Sequence, residues 1–97
     1  MKHLLVNLYS TLKNQNIVVS VGESSNSNCS GKLTVVIADT NGGQSTVLTK
    51  DVNNLGSTCQ EISFSGFPVT GKLHPVVATL ALESGQSKID EEMIQLG

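Results

Sequence analysis

Chemistry in this chain would have to come from very few side chains. Cys29 and Cys59 are its two cysteines, His3 and His74 its two histidines, and Asp90-Glu91-Glu92 its densest acidic run. The cysteines lack a Cys-x-x-Cys spacing or a nearby His, so they do not make a zinc-ligand set. Their polar surroundings, Asn26-Ser27-Asn28-Cys29-Ser30 and Gly56-Ser57-Thr58-Cys59, favour instead a disulfide closing a loop of about thirty residues, which would stabilise by roughly 2 to 4 kcal/mol. That bond requires an oxidising compartment. Two reduced, buried thiols are the alternative.

The histidines are separated by most of the chain, and neither has Cys, Asp or Glu at metal-ligand spacing. His74 precedes Pro75 at a strand start and reads as structural. The three adjacent carboxylates scatter around a helix or across both faces of a strand, which is the pattern of a solvated surface. Asp39-Thr40-Asn41-Gly42-Gly43 opens like a calcium loop, but Gly43 stands where an oxygen ligand is needed and Lys50 where the closing Glu belongs. It reads as a turn. Asn28-Cys29-Ser30 matches a glycosylation acceptor in form only, and Gly42-Gly43 lacks the context of a phosphate cradle. Tyr9, Phe64 and Phe67 are the aromatic residues and there is no Trp, which argues against sugar or base stacking. Phe67, in Ser65-Gly66-Phe67-Pro68, either caps the core or presents its ring to a partner. With no nucleophile-base pair and no metal set, the chain is read as a non-enzyme without cofactor, metal or small-molecule substrate. Its net charge of −2 offers no footprint for nucleic acid.

The elements that carry these residues fit one small domain of 97 residues. Leu4, Leu5, Leu8 and Leu12 fall on one helical face, with Lys2, Asn7, Ser10 and Lys13 away from it. This spacing predicts a helix over about 2–14, although the alternation Leu4, Val6, Leu8 also satisfies a strand. Asn14-Gln15-Asn16 ends the element. The apolar start is too short for a signal-peptide core or a membrane span. Beyond it the period shortens to two, predicting strands over 17–21, 32–38, 46–51, 61–64 and 75–82. Leu33, Val35 and Ile37 share one face, as do Val76, Ala78, Leu80 and Leu82, and Ile62 with Phe64. Asn41-Gly42-Gly43 supplies a tight turn that makes its flanking strands antiparallel neighbours. Residues 87–96 fit either a capped helix bearing Ile89, Met93 and Leu96 or the last strand of a hairpin turning at Ser84-Gly85-Gln86.

The order of these pieces resembles the soluble part of a minor type IV pilin of the FimT/FimU (GspH-domain) kind. Leu12-Lys13-Asn14-Gln15 followed by Ile17-Val18-Val19 is similar to the helix end and first strand. Ser27-Asn28-Cys29-Ser30-Gly31 is similar to the loop that often carries Cys-Ser-Gly, and Val35-Val36-Ile37-Ala38-Asp39-Thr40-Asn41-Gly42 to the second strand and turn. The resemblance implies an α+β fold in which Leu4, Leu5, Leu8 and Leu12 hold a helix onto antiparallel sheet or face other subunits. It implies a structural minor subunit of a type IV pilus or type II secretion pseudopilus, with other pilin subunits as partners, a location in an extracellular filament or the periplasm of a bacterium, and a membrane helix preceding this domain that sits in the inner membrane before assembly. The basic Gly-Arg-x-Arg stretch linked to DNA uptake in some members has no counterpart here.

A different class fits the same residues. In a secreted, Ig-like β-sandwich adhesion or ligand-binding module, the N-terminal segment is a strand and Cys29 and Cys59 bridge two sheets, without the Trp of true immunoglobulin domains.

Overall fold

The computed structural model describes residues 4–11, 16–23, 29–40, 42–56, 58–67 and 69–96, and all its regular structure is β. The strands are β1 (Leu4–Thr11), β2 (Asn16–Glu23), β3 (Cys29–Ile37), β4 (Thr46–Leu55), β5 (Gln60–Phe64), β6 (Leu73–Leu82) and β7 (Ser87–Gln95).

The N-terminal helix expected over 2–14, and with it the α+β pilin-like fold, is overturned. Leu4, Leu5 and Leu8 lie on β1, which pairs antiparallel with β2 from Leu4 opposite Glu23 to Thr11 opposite Asn16. Leu12 and His3 fall outside the described residues. The reason is cooperative: a helix of about twelve residues is marginal by itself in water. The same residues as a strand complete a backbone ladder on the β-branched run Ile17-Val18-Val19. The ambiguous tail is also a strand. Leu82 N–H donates to Gln86 O at 2.7 Å and Gly85 N–H to Leu82 O at 2.9 Å, a turn that Gly85 completes with a φ of 98°.

Two antiparallel sheets result. One has the order β1-β2-β5 and the other β4-β3-β6-β7. The chain changes sheet between β2 and β3, between β4 and β5, and between β5 and β6, so the sandwich is laced together by its connections. The core lies between the inner faces: Ile17, Val19, Val21 and Phe64 from the smaller sheet meet Leu33, Val35, Ile37, Val76, Ala78, Leu80 and Ile94 from the larger. All are buried, each contributing roughly 1.5 to 3 kcal/mol of transfer free energy, with Ala78 less.

The Asp39–Gly43 segment lies within the β3–β4 connection, which runs over residues 38–45 and is longer than the tight turn expected, though the strands it joins are antiparallel neighbours as expected. Gly43 N–H donates to Asp39 Oδ2 at 2.8 Å, a side-chain bond reaching four residues along the chain, and Gly42 has the left-handed φ of 78° that glycine adopts without strain. At the other end of β3 the register with β4 shifts between Cys29 and Gly31. A Cβ on Gly31 would lie 3.0 Å from Leu82 Cα and nearer still to the Ala81 carbonyl oxygen. Only glycine lets β3 approach β6 there.

Side chains tie the sandwich along one flank. Lys50 on β4 donates to Ser63 O on β5 while its ammonium lies 5.3 Å from the centre of the Phe64 ring. Gln60 Nε2 on β5 donates to Asn53 O and Asn54 O on β4, each at 3.0 Å. On the opposite flank β1 lies against β7.

Candidate functional site

Register decides which side chains the larger sheet turns away from the core. Because Leu33, Val35 and Ile37 point inward on β3, Lys32, Thr34 and Val36 point outward. Val36 is opposite Val47 on β4 and Val77 on β6, and Glu91 follows on β7. These three valines form an apolar row across the middle of the sheet. Toward one end Pro75 is opposite Met93, and then Leu73 is opposite Gln95. Toward the other end Thr49, Thr34 and Thr79 line up, with Ile89 beside Thr79.

Among the described residues, five large apolar side chains are exposed: Val47 at 60%, Val69 at 57%, Leu73 at 54%, Ile89 at 56% and Met93 at 57%. All but Val69, in the β5–β6 connection, belong to this face. A shallow hollow of about 320 Å³ indents it where Pro75 and Val77 meet Glu91 and Met93. Charge is sparse: Lys32 stands opposite Asp51, which offsets the pair, and Glu91 sits at the β7 margin. Isolated exposed apolar residues need no explanation, whereas a contiguous group of them makes this face the candidate for a binding role.

No family model and no curated protein matches the chain. The surface must therefore be read from its own chemistry.

Two other places hold reactive groups. His74, inward on β6 and 4% exposed, has Nδ1 2.8 Å from Ala38 O and Nε2 2.5 Å from Thr70 Oγ1. A carbonyl only accepts, so Nδ1–H donates to it, while the Thr70 hydroxyl is the hydrogen-bond partner of Nε2. Both ring nitrogens are engaged in fastening β6 to the end of β3 and to the β5–β6 connection. The adjoining pocket of about 220 Å³, lined by Ile37, Asp39, Gln44, Thr46, Thr70 and Leu96 among others, is presented with no vacant imidazole nitrogen.

The cysteines sit together at one end of the sandwich as two thiols. Cys29 Sγ–H donates to Glu23 Oε2 at 2.5 Å, and the Glu23 side chain is buried. Exposed Cys59 has its sulfur 3.1 Å from the position a Gly22 Cβ would take. The two sulfurs thus flank consecutive residues at the end of β2, on the opposite sides that strand alternation gives Gly22 and Glu23. Cys29 opens β3 in the larger sheet and Cys59 leads into β5 in the smaller.

Of the remaining candidates, the acidic run lies on β7 with Glu91 on the outer face and Asp90 and Glu92 on the other, opposite Ala78 and Val76. Phe67 is partly buried and packs on the core. Among the described residues no group of three His, Cys, Asp or Glu is placed to hold a metal ion, and no helix is long and apolar enough to cross a membrane.

The residues that make the apolar face were not singled out by sequence reasoning. The signal was present in Val36 and Val77, apolar residues on the second face of strands already assigned one apolar face. An antiparallel strand backed by water should be polar there.

Proposed function

We propose that this chain is a binding module of the secreted, Ig-like sandwich kind, which works by holding another macromolecule against the outer face of its four-stranded sheet. The observation that carries this reading is the contiguous apolar surface made by Val47, Val36, Val77, Pro75 and Met93, with Leu73 and Ile89 beside it. The strand order supports it. Strands one, two and five form one sheet, and in the other strand three lies between four and six with seven beyond six, as in immunoglobulin-type sandwiches whose fourth strand joins the second sheet. In this reading the chain acts outside the reducing cytosol; the Cys29–Cys59 bridge expected from the sequence is not formed in the structure, where both are thiols. The filament-subunit reading took its interface from a helix on residues 2–14; the strand at that position removes those contacts as its support.

The test uses beads bearing the chain, scored for adhesion to one another and to cells of the source organism. Wild-type beads adhere in at least one assay, and beads bearing Val47→Lys with Met93→Lys lose adhesion. Glu61→Lys, on the outer face of the smaller sheet beside Ser20, retains it. Wild-type beads that adhere to neither surface, or a face variant that adheres like wild type, would overturn the reading.

A further inference from the structure

We infer that the end of the sandwich beside His74 is a separate binding site for a small aliphatic ammonium group, the nitrogen on Asp39 and the carbon stem against Ile37 and Leu96.

Polar side chains in inward positions are the observation behind it. Thr46 is opposite Ile37 across β3 and β4, and Ile37 is opposite Val76 across β3 and β6, so the three share the inner face. Asp39 stands two residues beyond Ile37 and His74 two before Val76, which keeps them on that face. The Ala38 N–H to Pro75 O bond of 3.0 Å carries the ladder past the end of β3. Were this end of the core simply closed, apolar side chains would fill it, as Val35, Ala78 and Leu80 do further in. Instead Thr46, Asp39 and His74 border a cavity of about 220 Å³, with the exposed Gln44 and Thr70 also lining it and Ile37 and Leu96 as its buried apolar walls.

The lining selects the occupant. Asp39 is its one residue with a formal charge, so an anion is repelled. One carboxylate is too few ligands for a divalent cation, and among the described residues no group of three His, Cys, Asp or Glu is placed to hold a metal. No aromatic ring lines the cavity on which a sugar would stack. An alkylammonium group matches what remains, with three N–H donors for carboxylate and hydroxyl oxygens and methylenes for the apolar walls.

The residues are also held in place. Gly43 N–H donates to Asp39 Oδ2 at 2.8 Å and orients the carboxylate, whose lone pairs, about four in all, outnumber what one donor fills. His74 is a positioning residue. With Nδ1 2.8 Å from Ala38 O and Nε2 2.5 Å from Thr70 Oγ1, its ring braces the floor and keeps the β5–β6 connection at the rim. At about 30 Å³ for each water-sized group the cavity holds about seven non-hydrogen atoms, enough for a four-carbon amine. Such a group is carried by free aliphatic amines and by lysine side chains of other proteins.

Titration of the whole chain, followed by its amide nitrogen–proton NMR spectrum, tests the site with n-butylammonium and with Nα-acetyl-lysine methylamide; butyrate at matched ionic strength is the control. Saturable shifts are expected at Ile37, Asp39, Gln44, Thr46 and Leu96, with a Kd of about 1 to 10 mM, as suits so small a ligand. Butyrate should give none. Asp39→Asn, which keeps an acceptor for Gly43 N–H, should raise the Kd at least about five-fold. Thr46→Val, of similar shape, should raise it about three-fold, and it carries the test if the first variant does not keep the native circular dichroism spectrum. Binding of the lysine derivative at least as tight as that of butylammonium assigns the group to a protein side chain, and binding of butylammonium alone assigns it to a free amine; either supports the site. No saturable shift with either amine up to about 50 mM, butyrate binding as tightly, or folded variants that bind as wild type does would overturn it. The bead assay of the outer face is decided separately, because neither variant alters that face.

Discussion

Replacing Gly31 by alanine tests the geometry on which the larger sheet depends. In an unconstrained strand this change would stabilise by roughly 0.4 to 1 kcal/mol through the unfolded chain. Here the new methyl group would stand 3.0 Å from Leu82 Cα and 3.1 Å from Ala81 C, and closer still to Ala81 O. All three are backbone atoms of β6, which is held between β3 and β7 along its length. No side chain can rotate aside, so the strands must separate locally or the bulge at Cys29–Gly31 must reshape. Overpacking of this kind costs about 1 to 3 kcal/mol, and the rigid neighbours place it in the upper half. The net loss should be about 2 kcal/mol, which for a chain of this size lowers Tm by about 8 to 16 °C. Thermal and urea unfolding followed by circular dichroism give the value. Gly56→Ala is the control, because a Cβ there meets nothing within 4 Å and the backbone is not left-handed; it should change stability by less than about 0.5 kcal/mol. A Gly31→Ala protein as stable as wild type would refute the close approach of β3 to β6.

Three further outcomes follow from the fold. The far-ultraviolet spectrum should show strand without a helical component, and a chain beginning at Asn16 should lose most of its cooperative unfolding, because β2 then has β5 as its only partner; a helical signal lost with residues 1–15 would contradict β1. His74→Phe removes the donor to Ala38 O and leaves that half-buried carbonyl unsatisfied, a loss of about 2 kcal/mol in urea unfolding, whereas unchanged stability would show the ring to be incidental. In reduced native protein, maleimide should modify exposed Cys59 well before Cys29, whose thiol is half-buried and donates to Glu23; mass spectrometry of the peptides reads the order, and equal rates would contradict the arrangement.

Much of the sandwich was legible in local pattern. The predicted strands over 17–21, 61–64 and 75–82 lie within β2, β5 and β6, and 46–51 within β4; the strand expected over 32–38 runs one residue past β3. Leu33, Val35, Ile37, Val76, Ala78 and Leu80 face the core as their alternation requires. The N-terminus was misread because Leu4, Leu5, Leu8 and Leu12 satisfy a helical stripe while Leu4, Val6 and Leu8 satisfy a strand. What decides between them is a partner, β2, whose availability no local window reports. The same limit applied to the apolar outer face. Val36 could be seen as an apolar residue on the wrong side of β3, but only the register places it beside Val47, eleven positions later, and Val77, far along the chain. Gly31 carries the same lesson: in Cys-Ser-Gly it read as part of a loop motif, whereas its role is steric and is set by a strand fifty residues away.

The flank where Lys50 and Gln60 reach across between the sheets governs how far assembly can go. An open strand edge invites another strand, which exposes a new edge in turn, and growth of that kind has no natural end. Here carbonyls of β4 and β5 are already taken by side chains of this chain, and on the other flank β1 and β7 shield one another. Both flanks are thereby guarded against strand addition, so a destabilised variant that frees Lys50 and Gln60 should aggregate through this edge sooner than the native chain does.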